Sequence, residues 1–254
     1  MRRFLVFGSI LALLFTACSS EEKISFVPAE PFENSCEDCP EITINLPSAQ
    51  PETKPEAQQI NKALSDFAIS ILYYTDEERP DSIPAAMEDF NLQYKELKEN
   101  YPENIVPWEA KVKGEVSFRN EKIVSLLFDS YIFTGGAHGY GSTSFLNFDL
   151  ATGEQLSEDD LLNNPKEFTT FVESIFRKQN NLKPEDNINS TGFMFEDDKF
   201  HLPVSIGFDE QGIILIYNPY EIASYADGQT KIYIPMDQAK PFIKSSWLEV
   251  EASS

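Results

Sequence analysis

The sequence predicts an α+β fold, two helix-plus-antiparallel-sheet units packed together, and three observations carry that prediction. Apolar residues recur at spacings of three and four in separate stretches, the mark of amphipathic helices. Between and after them lie runs rich in β-branched and aromatic residues, joined by turns too short to hold a crossover helix. The order is helices followed by hairpins, twice over, without regular βαβ alternation. No short repeat is visible, which sets a solenoid aside.

Taken in order, the chain opens with the basic Met1-Arg2-Arg3 and the twelve-residue apolar run "FLVFGSILALLF". That run is too short to cross a hydrocarbon core of roughly 30 Å, so residues 1–17 read as a secretion signal. The small residues of "LFTAC" resemble the lipobox of bacterial lipoproteins. The expectation is a mature chain that begins at a lipidated Cys18 and is held at the membrane by its acyl chains. Ser19-Ser20-Glu21-Glu22 resembles the export signals of outer-membrane and surface lipoproteins, which places the protein at the bacterial cell envelope. Residues 18–40 carry prolines at 28, 31 and 40, several acids and few bulky apolar groups. Such a stretch is expected to be an acidic flexible tether, because it buries too little to offset its ordering entropy. Within it Cys36 and Cys39, three apart in an oxidising compartment, suit a small local disulfide.

Regular structure is expected from residue 41, with a smaller α+β domain over 41–134 and a second over 135–250. "EITINLP" alternates Ile42, Ile44 and Leu46 as a strand that Pro47 ends. Ile60, Ala63, Leu64, Phe67, Ile71 and Leu72 form a helical stripe from Glu56 to about Tyr74. A weaker stripe of Met87, Phe90, Tyr94 and Leu97 marks a second helix before Pro102. "WEAKVKGEVSF" and "KIVSLLFDSYIF" read as a hairpin turning at Arg119-Asn120-Glu121, and "STSFLNFDL" as a further strand. In Ala151-Thr152-Gly153-Glu154 the glycine suits a positive φ. Ser157 opens "SEDDLL" in the manner of a capping box. Asn164-Pro165-Lys166-Glu167 caps a stronger helix whose apolar face is Phe168, Phe171, Val172, Ile175 and Phe176. Strands and turns follow, and a short helix closes the chain around 237–244.

Charge narrows the function classes. Forty-two acidic residues stand against twenty lysines and arginines, a formal charge of −22. Removing residues 1–17 takes away two arginines and leaves −24. Such a chain repels nucleic acid and anionic lipid, and attracts a basic partner. The glycine loop Gly135-Gly136-Ala137-His138-Gly139 invites a chemical reading. It joins two strands and holds no lysine, so it is no phosphate cradle. With His201 as the one other histidine and no HxH or HExxH spacing, no metal or cofactor is expected. No G-x-S-x-G elbow is present, and carboxylates this numerous form accidental pairs.

"YIFTGGAHG", followed by "FDLATGE" and about seventy residues later by "NPYEIASYADG", resembles the domain of unknown function in RsiV-type anti-sigma factor ectodomains. The same domain accompanies PdaC-type deacetylases, where it follows a smaller partner domain. The resemblance spans roughly 41–245 and its motifs are not catalytic. RsiV-type members bind lysozyme outside the cell, and PdaC-type members add a polysaccharide deacetylase domain whose metal-binding motifs this chain lacks. What the resemblance implies is a non-enzymatic binding module, with a cell-wall glycan or a basic protein such as lysozyme as partner. The alternative is an envelope hydrolase using His138 and carboxylates. Candidate ligand-binding residues are Gly135, Gly136, His138, Gly139, Tyr140, Asn218, Tyr220, Glu221 and Tyr225. The tyrosines there suit stacking on sugars or amphipathic protein contacts, and they equally suit covering the core beside a turn.

Overall fold

The computed structural model describes residues 22–248 except 35, 37, 74–77 and 104–105. The expected signal segment 1–17 and the lipidation residue Cys18 lie outside the described residues. Among the described residues no helix is long and apolar enough to cross a membrane.

The chain begins with β1 (Ser25–Pro28), β2 (Phe32–Glu33), β3 (Glu41–Asn45) and β4 (Pro47–Gln50). Helices α1 (Pro55–Leu72) and α2 (Ile83–Asn100) follow, then the long strands β5 (Glu109–Arg119), β6 (Ile123–Phe133) and β7 (Tyr140–Asp149). β2-β3-β5-β6-β7 form one five-stranded sheet, and β1 pairs with β4 in a separate ribbon. All pairings are antiparallel except β3 with β5. That parallel pair exists because two helices intervene, which gives the chain the length to return in the same direction. α1 and α2 cover one face of this sheet. Their buried stripes, Ile60, Leu64 and Ile69 on α1 and Phe90 and Tyr94 on α2, close over Ile42, Ile44, Val112, Leu126 and Phe128.

The second unit holds α3 (Glu158–Leu161), α4 (Pro165–Gln179), β8 (Ser205–Phe208), β9 (Gly212–Tyr217), β10 (Thr230–Pro235) and α5 (Met236–Ala239). β10-β9-β8 make an antiparallel three-stranded sheet. Caps set the helix starts as their residue types require. Ser157 and Asp160 close a capping box on α3, and the Asn164 side chain accepts from the Glu167 N–H ahead of Pro165 on α4. α4 buries Phe168, Val172 and Phe176 against Leu215, Tyr217, Ile232 and Ile234. The two units meet where Ser125 Oγ on β6 accepts the Phe208 N–H at 3.1 Å and Phe118 packs 5.8 Å from Phe208.

Three expectations are corrected. Residues 22–34, expected within the 18–40 tether, belong to the fold. β1 pairs residue for residue with β4, β2 pairs with β3, and Ile24 is 5 % exposed in the first core. Three apolar side chains, Ile24, Phe26 and Phe32, give this short stretch enough to bury once strand edges take up its backbone groups. Pro47 does not end a strand. It opens β4 at the edge of a two-stranded ribbon, where a missing N–H costs little. The boundary expected at 134/135 does not separate one sheet from another, since it falls in the turn between β6 and β7, which pair over ten positions. The structure joins Cys36 and Cys39 by a disulfide, Cα to Cα 5.7 Å.

Gly153 makes the turn after β7 possible. Its φ is +75°, and an added Cβ would lie 2.5 Å from Glu56 O and 2.7 Å from Glu56 Cα at the start of α1. Gly153→Ala is expected to lower stability by about 1–3 kcal/mol, combining left-handed strain with a collision against backbone that cannot swing aside. Thermal unfolding of the variant checks it. An unchanged midpoint would show that the turn and α1 are not held this closely.

Candidate functional site

The β6–β7 turn and the segment after β9 meet at one end of the molecule. Gly135 and Gly136, at φ +102° and +91°, let the chain reverse. Gly139 lies against the Tyr131 ring, which an added Cβ would overlap. These glycines therefore shape the loop. Among the described residues an added Cβ at Gly135 would meet Val106 at 4.0 Å and one at Gly136 would meet nothing within 4 Å.

His138 stands exposed at the loop tip. Its ring stacks on Tyr225, centroids 3.8 Å apart and planes 15° from parallel. Tyr220 lies 5.7 Å from Tyr225 at 32°, with its hydroxyl 3.4 Å from His138 Nε2. His138 Nδ1 lies 2.9 Å from Gly139 O. The two ring nitrogens thus face a carbonyl and a phenol, and among the described residues neither is hydrogen-bonded to a carboxylate as a general base of a triad would be. Tyr220 is 59 % exposed and takes φ +70°. A bulky residue rarely adopts that conformation, and such strain collects where surrounding structure enforces a function.

Asn218 locks the segment in place. Its side-chain amide accepts from the Thr143 N–H at 2.8 Å and donates to Thr143 O at 3.0 Å, so it pairs with β7 as a neighbouring strand would. Its own N–H donates to Glu221 Oε2 at 2.9 Å, while Glu221 Oε1 accepts the Val204 N–H at 3.1 Å. Tyr140, on β7, donates its hydroxyl to Pro219 O at 3.4 Å. Partial burial, and then the Glu221 charge, push the Tyr140 phenol above its ordinary value.

Beside the stacked rings runs an open groove of about 410 Å³, walled by Asp129, Ser130, Ser142, Thr143, Tyr225 and Gln229. The Thr143 hydroxyl donates to Asp129 Oδ1 at 2.8 Å and accepts from Gln229 Nε2 at 3.0 Å. The Ser130 and Ser142 hydroxyls lie 2.7 Å apart. An aromatic platform next to hydroxyl, amide and carboxylate groups can hold a ligand with one apolar face and many hydroxyls.

Of the residues singled out in the sequence, the structure brings His138, Tyr140, Asn218, Tyr220, Glu221 and Tyr225 into one cluster. His201 packs elsewhere, edge-on to Phe195 and Tyr217. Sequence reasoning missed Asp129, Ser130, Ser142, Thr143 and Gln229. A signal existed for four of them: Asp129 with Thr143 and Ser130 with Ser142 are direct cross-strand partners, two adjacent polar pairs in the β6–β7 hairpin. Among the described residues no group of three or more His, Cys, Asp or Glu side chains is placed to hold a metal ion.

A family model described as "Deacetylase PdaC" matches residues 33–140, and one described as "Protein of unknown function (DUF3298)" matches 157–237. No curated protein matches the chain. The chain is similar to the crystal structure of a DUF3298 family member from Bacteroides fragilis, with TM-score 0.65 and 20 % identity over 88 % of this chain and 94 % of that one. It is also similar to a DUF3298 family protein from Pseudomonas aeruginosa, with TM-score 0.59 and 18 % identity over 91 % and 98 %. At these identities the likeness is one of fold. The cluster draws His138 and Tyr140 from the first matched region and Asn218, Tyr220, Glu221 and Tyr225 from the second. The two family models thus match successive stretches of the chain, PdaC first and DUF3298 second, in the order of the pairing that its motifs resemble.

Proposed function

We propose that this chain is a non-enzymatic binding module of the bacterial cell envelope, lipid-anchored through Cys18 and displayed at the outer membrane or cell surface, and that its ligand is a cell-wall glycan. One observation carries the choice of ligand: the exposed stack of His138, Tyr225 and Tyr220 beside the polar groove. A pyranose ring offers C–H faces to aromatic rings and hydroxyls to groups such as Asp129, Ser142 and Gln229. The ring nitrogens of His138 are taken up by neighbours, which supports binding over hydrolysis.

Titration of the purified mature protein with peptidoglycan fragments tests the reading. Tyr225→Ala is expected to raise Kd about thirtyfold, the effect of truncating an anchoring residue worth about 2 kcal/mol. Absence of binding by the intact protein would end it. So would turnover of a wall substrate that disappears in His138→Ala. The charge of −22 favours a second reading, a basic protein partner. That partner's affinity would fall steeply with added salt, whereas a neutral glycan's would not.

A further inference from the structure

Cations are scarce in this chain, yet four of them converge at one place. Lys23, Lys54, Arg119 and Lys122 line a cavity of about 340 Å³ where the N-terminal segment meets the β5–β6 turn and the start of α1. Three acids share the lining, Glu22, Glu56 and Glu121, so the cavity is net positive in a chain of formal charge −22. Lys23 pairs with Glu121 at 2.5 Å. The Arg119 guanidinium donates to Ile24 O and so pins the entering chain to the end of β5. Lys54 and Lys122 form no ion pair among the described residues. Two ammonium groups left over in a net-positive cavity suit an anion such as phosphate, which lysine binds as a point charge.

The position of the cavity selects the source of that phosphate. Lys23 follows Cys18 by five residues, a span of at most about 18 Å, and Ile24 is already buried in the first core. With the fold beginning here and not after residue 40, an acyl group on Cys18 keeps this cavity within reach of the bilayer surface. We propose that the cavity docks on the membrane that carries the anchor and takes the phosphate of an anionic lipid headgroup, with Lys54 and Lys122 as its donors. The formal charge of −22 repels such a membrane at long range, but at physiological salt screening acts over about 8 Å, so a headgroup in the cavity meets the local cations. β6 begins beside Lys122 and ends at the His138 loop, eleven residues or about 35 Å away. Docking at the cavity therefore directs the stack of His138, Tyr225 and Tyr220 away from the bilayer. It rests on the proposed lipidation of Cys18, and it involves a ligand and residues different from those of the glycan reading.

The test couples the mature chain through its Cys18 thiol to maleimide lipid in vesicles of phosphatidylcholine, alone or with phosphatidylglycerol. Acetic anhydride labels exposed lysines, and mass spectrometry reads the rate at each one. Labelling of Lys23, Lys54 and Lys122 is expected to be about fivefold slower on the anionic vesicles, the effect of one lysine at an anionic surface, with Lys199 in the second unit unchanged. In a Lys54→Gln, Lys122→Gln double variant with the parent's melting curve, Lys23 should be labelled equally on both vesicles. Glycerol 3-phosphate added to the neutral vesicles should leave every rate as it was. Equal rates on the two vesicles, equal slowing of Lys199, slowing of Lys23 that persists in the double variant, or the same slowing by free glycerol 3-phosphate would each overturn docking on the membrane. The mass of the N-terminal fragment from protein extracted from cells reads the anchor separately. An unmodified Cys18 would end the anchor reading, whereas equal rates on the coupled protein would end the docking alone.

Discussion

Replacing Phe176 by alanine lowers the free energy of unfolding by about 3–5 kcal/mol, the range for removing a fully buried aromatic side chain. Phe176 is 0 % exposed on the inner face of α4. Its ring lies 4.8 Å from Phe193, 5.2 Å from Phe195, 5.6 Å from Phe200 and 6.3 Å from Tyr217. Losing it takes away transfer energy, opens a void, and ends several edge-to-face contacts at once. The rings around it hang on loops between α4 and β8, but Tyr217 is anchored in β9 and cannot collapse inward to refill the space. Urea unfolding followed by fluorescence checks the figure, because the two tryptophans report different cores. Trp108 is buried beside Phe90 and Tyr94, and Trp247 packs on the second core. A midpoint that moves by less than the equivalent of about 1 kcal/mol would mean that the cluster tolerates a hole and is not the centre of the second core.

Asn218→Ala is expected to cost about 2–4 kcal/mol and to weaken glycan binding by more than tenfold. Both effects come from one side chain. Thr143 is 5 % exposed, and its N–H and carbonyl lose their partners when the amide goes, each leaving an unsatisfied buried group worth about 1–3 kcal/mol. Gln229 Nε2 loses an acceptor at 3.0 Å as well. The segment that carries Tyr220 and Tyr225 then has no fixed distance from β7, so the rings no longer meet His138. Asn218→Asp separates the two effects, since it keeps an acceptor for the Thr143 N–H while removing the donor to Thr143 O. Its stability should fall between parent and alanine variant. Full binding by a destabilised Asn218→Ala protein would show that the ring stack is not what the glycan touches.

Local features were legible in the sequence because they depend on neighbours a few residues apart. The stripes of α1, α2 and α4, the Asn164 and Ser157 caps, and the Gly153 turn rest on i to i+4 geometry and on backbone preferences that each residue carries with it. The mixed α+β class followed from their order. The motifs around Gly135 and Asn218 likewise identified the two segments that form the cluster, and the resemblance they carry agrees with the PdaC and DUF3298 matches.

What composition misjudged was residues 22–34. Prolines and acids argued for a tether, yet strand edges were available to pair that backbone and a core to take Ile24, and neither is visible from the segment itself. The parallel register of β3 against β5 was equally hidden, since it joins residues more than sixty positions apart. The site shows the same division of information. The sequence by itself determined which side chains were available, a histidine on a glycine loop and tyrosines in a turn. Only the tertiary structure decided that His138 and Tyr225 stack face to face and that Asp129, Thr143 and Gln229 line the groove beside them. The reason is physical: a ring contact or an amide clamp depends on the packing of two units, and that packing is set by the summed burial of both cores, to which no short stretch of chain holds the key.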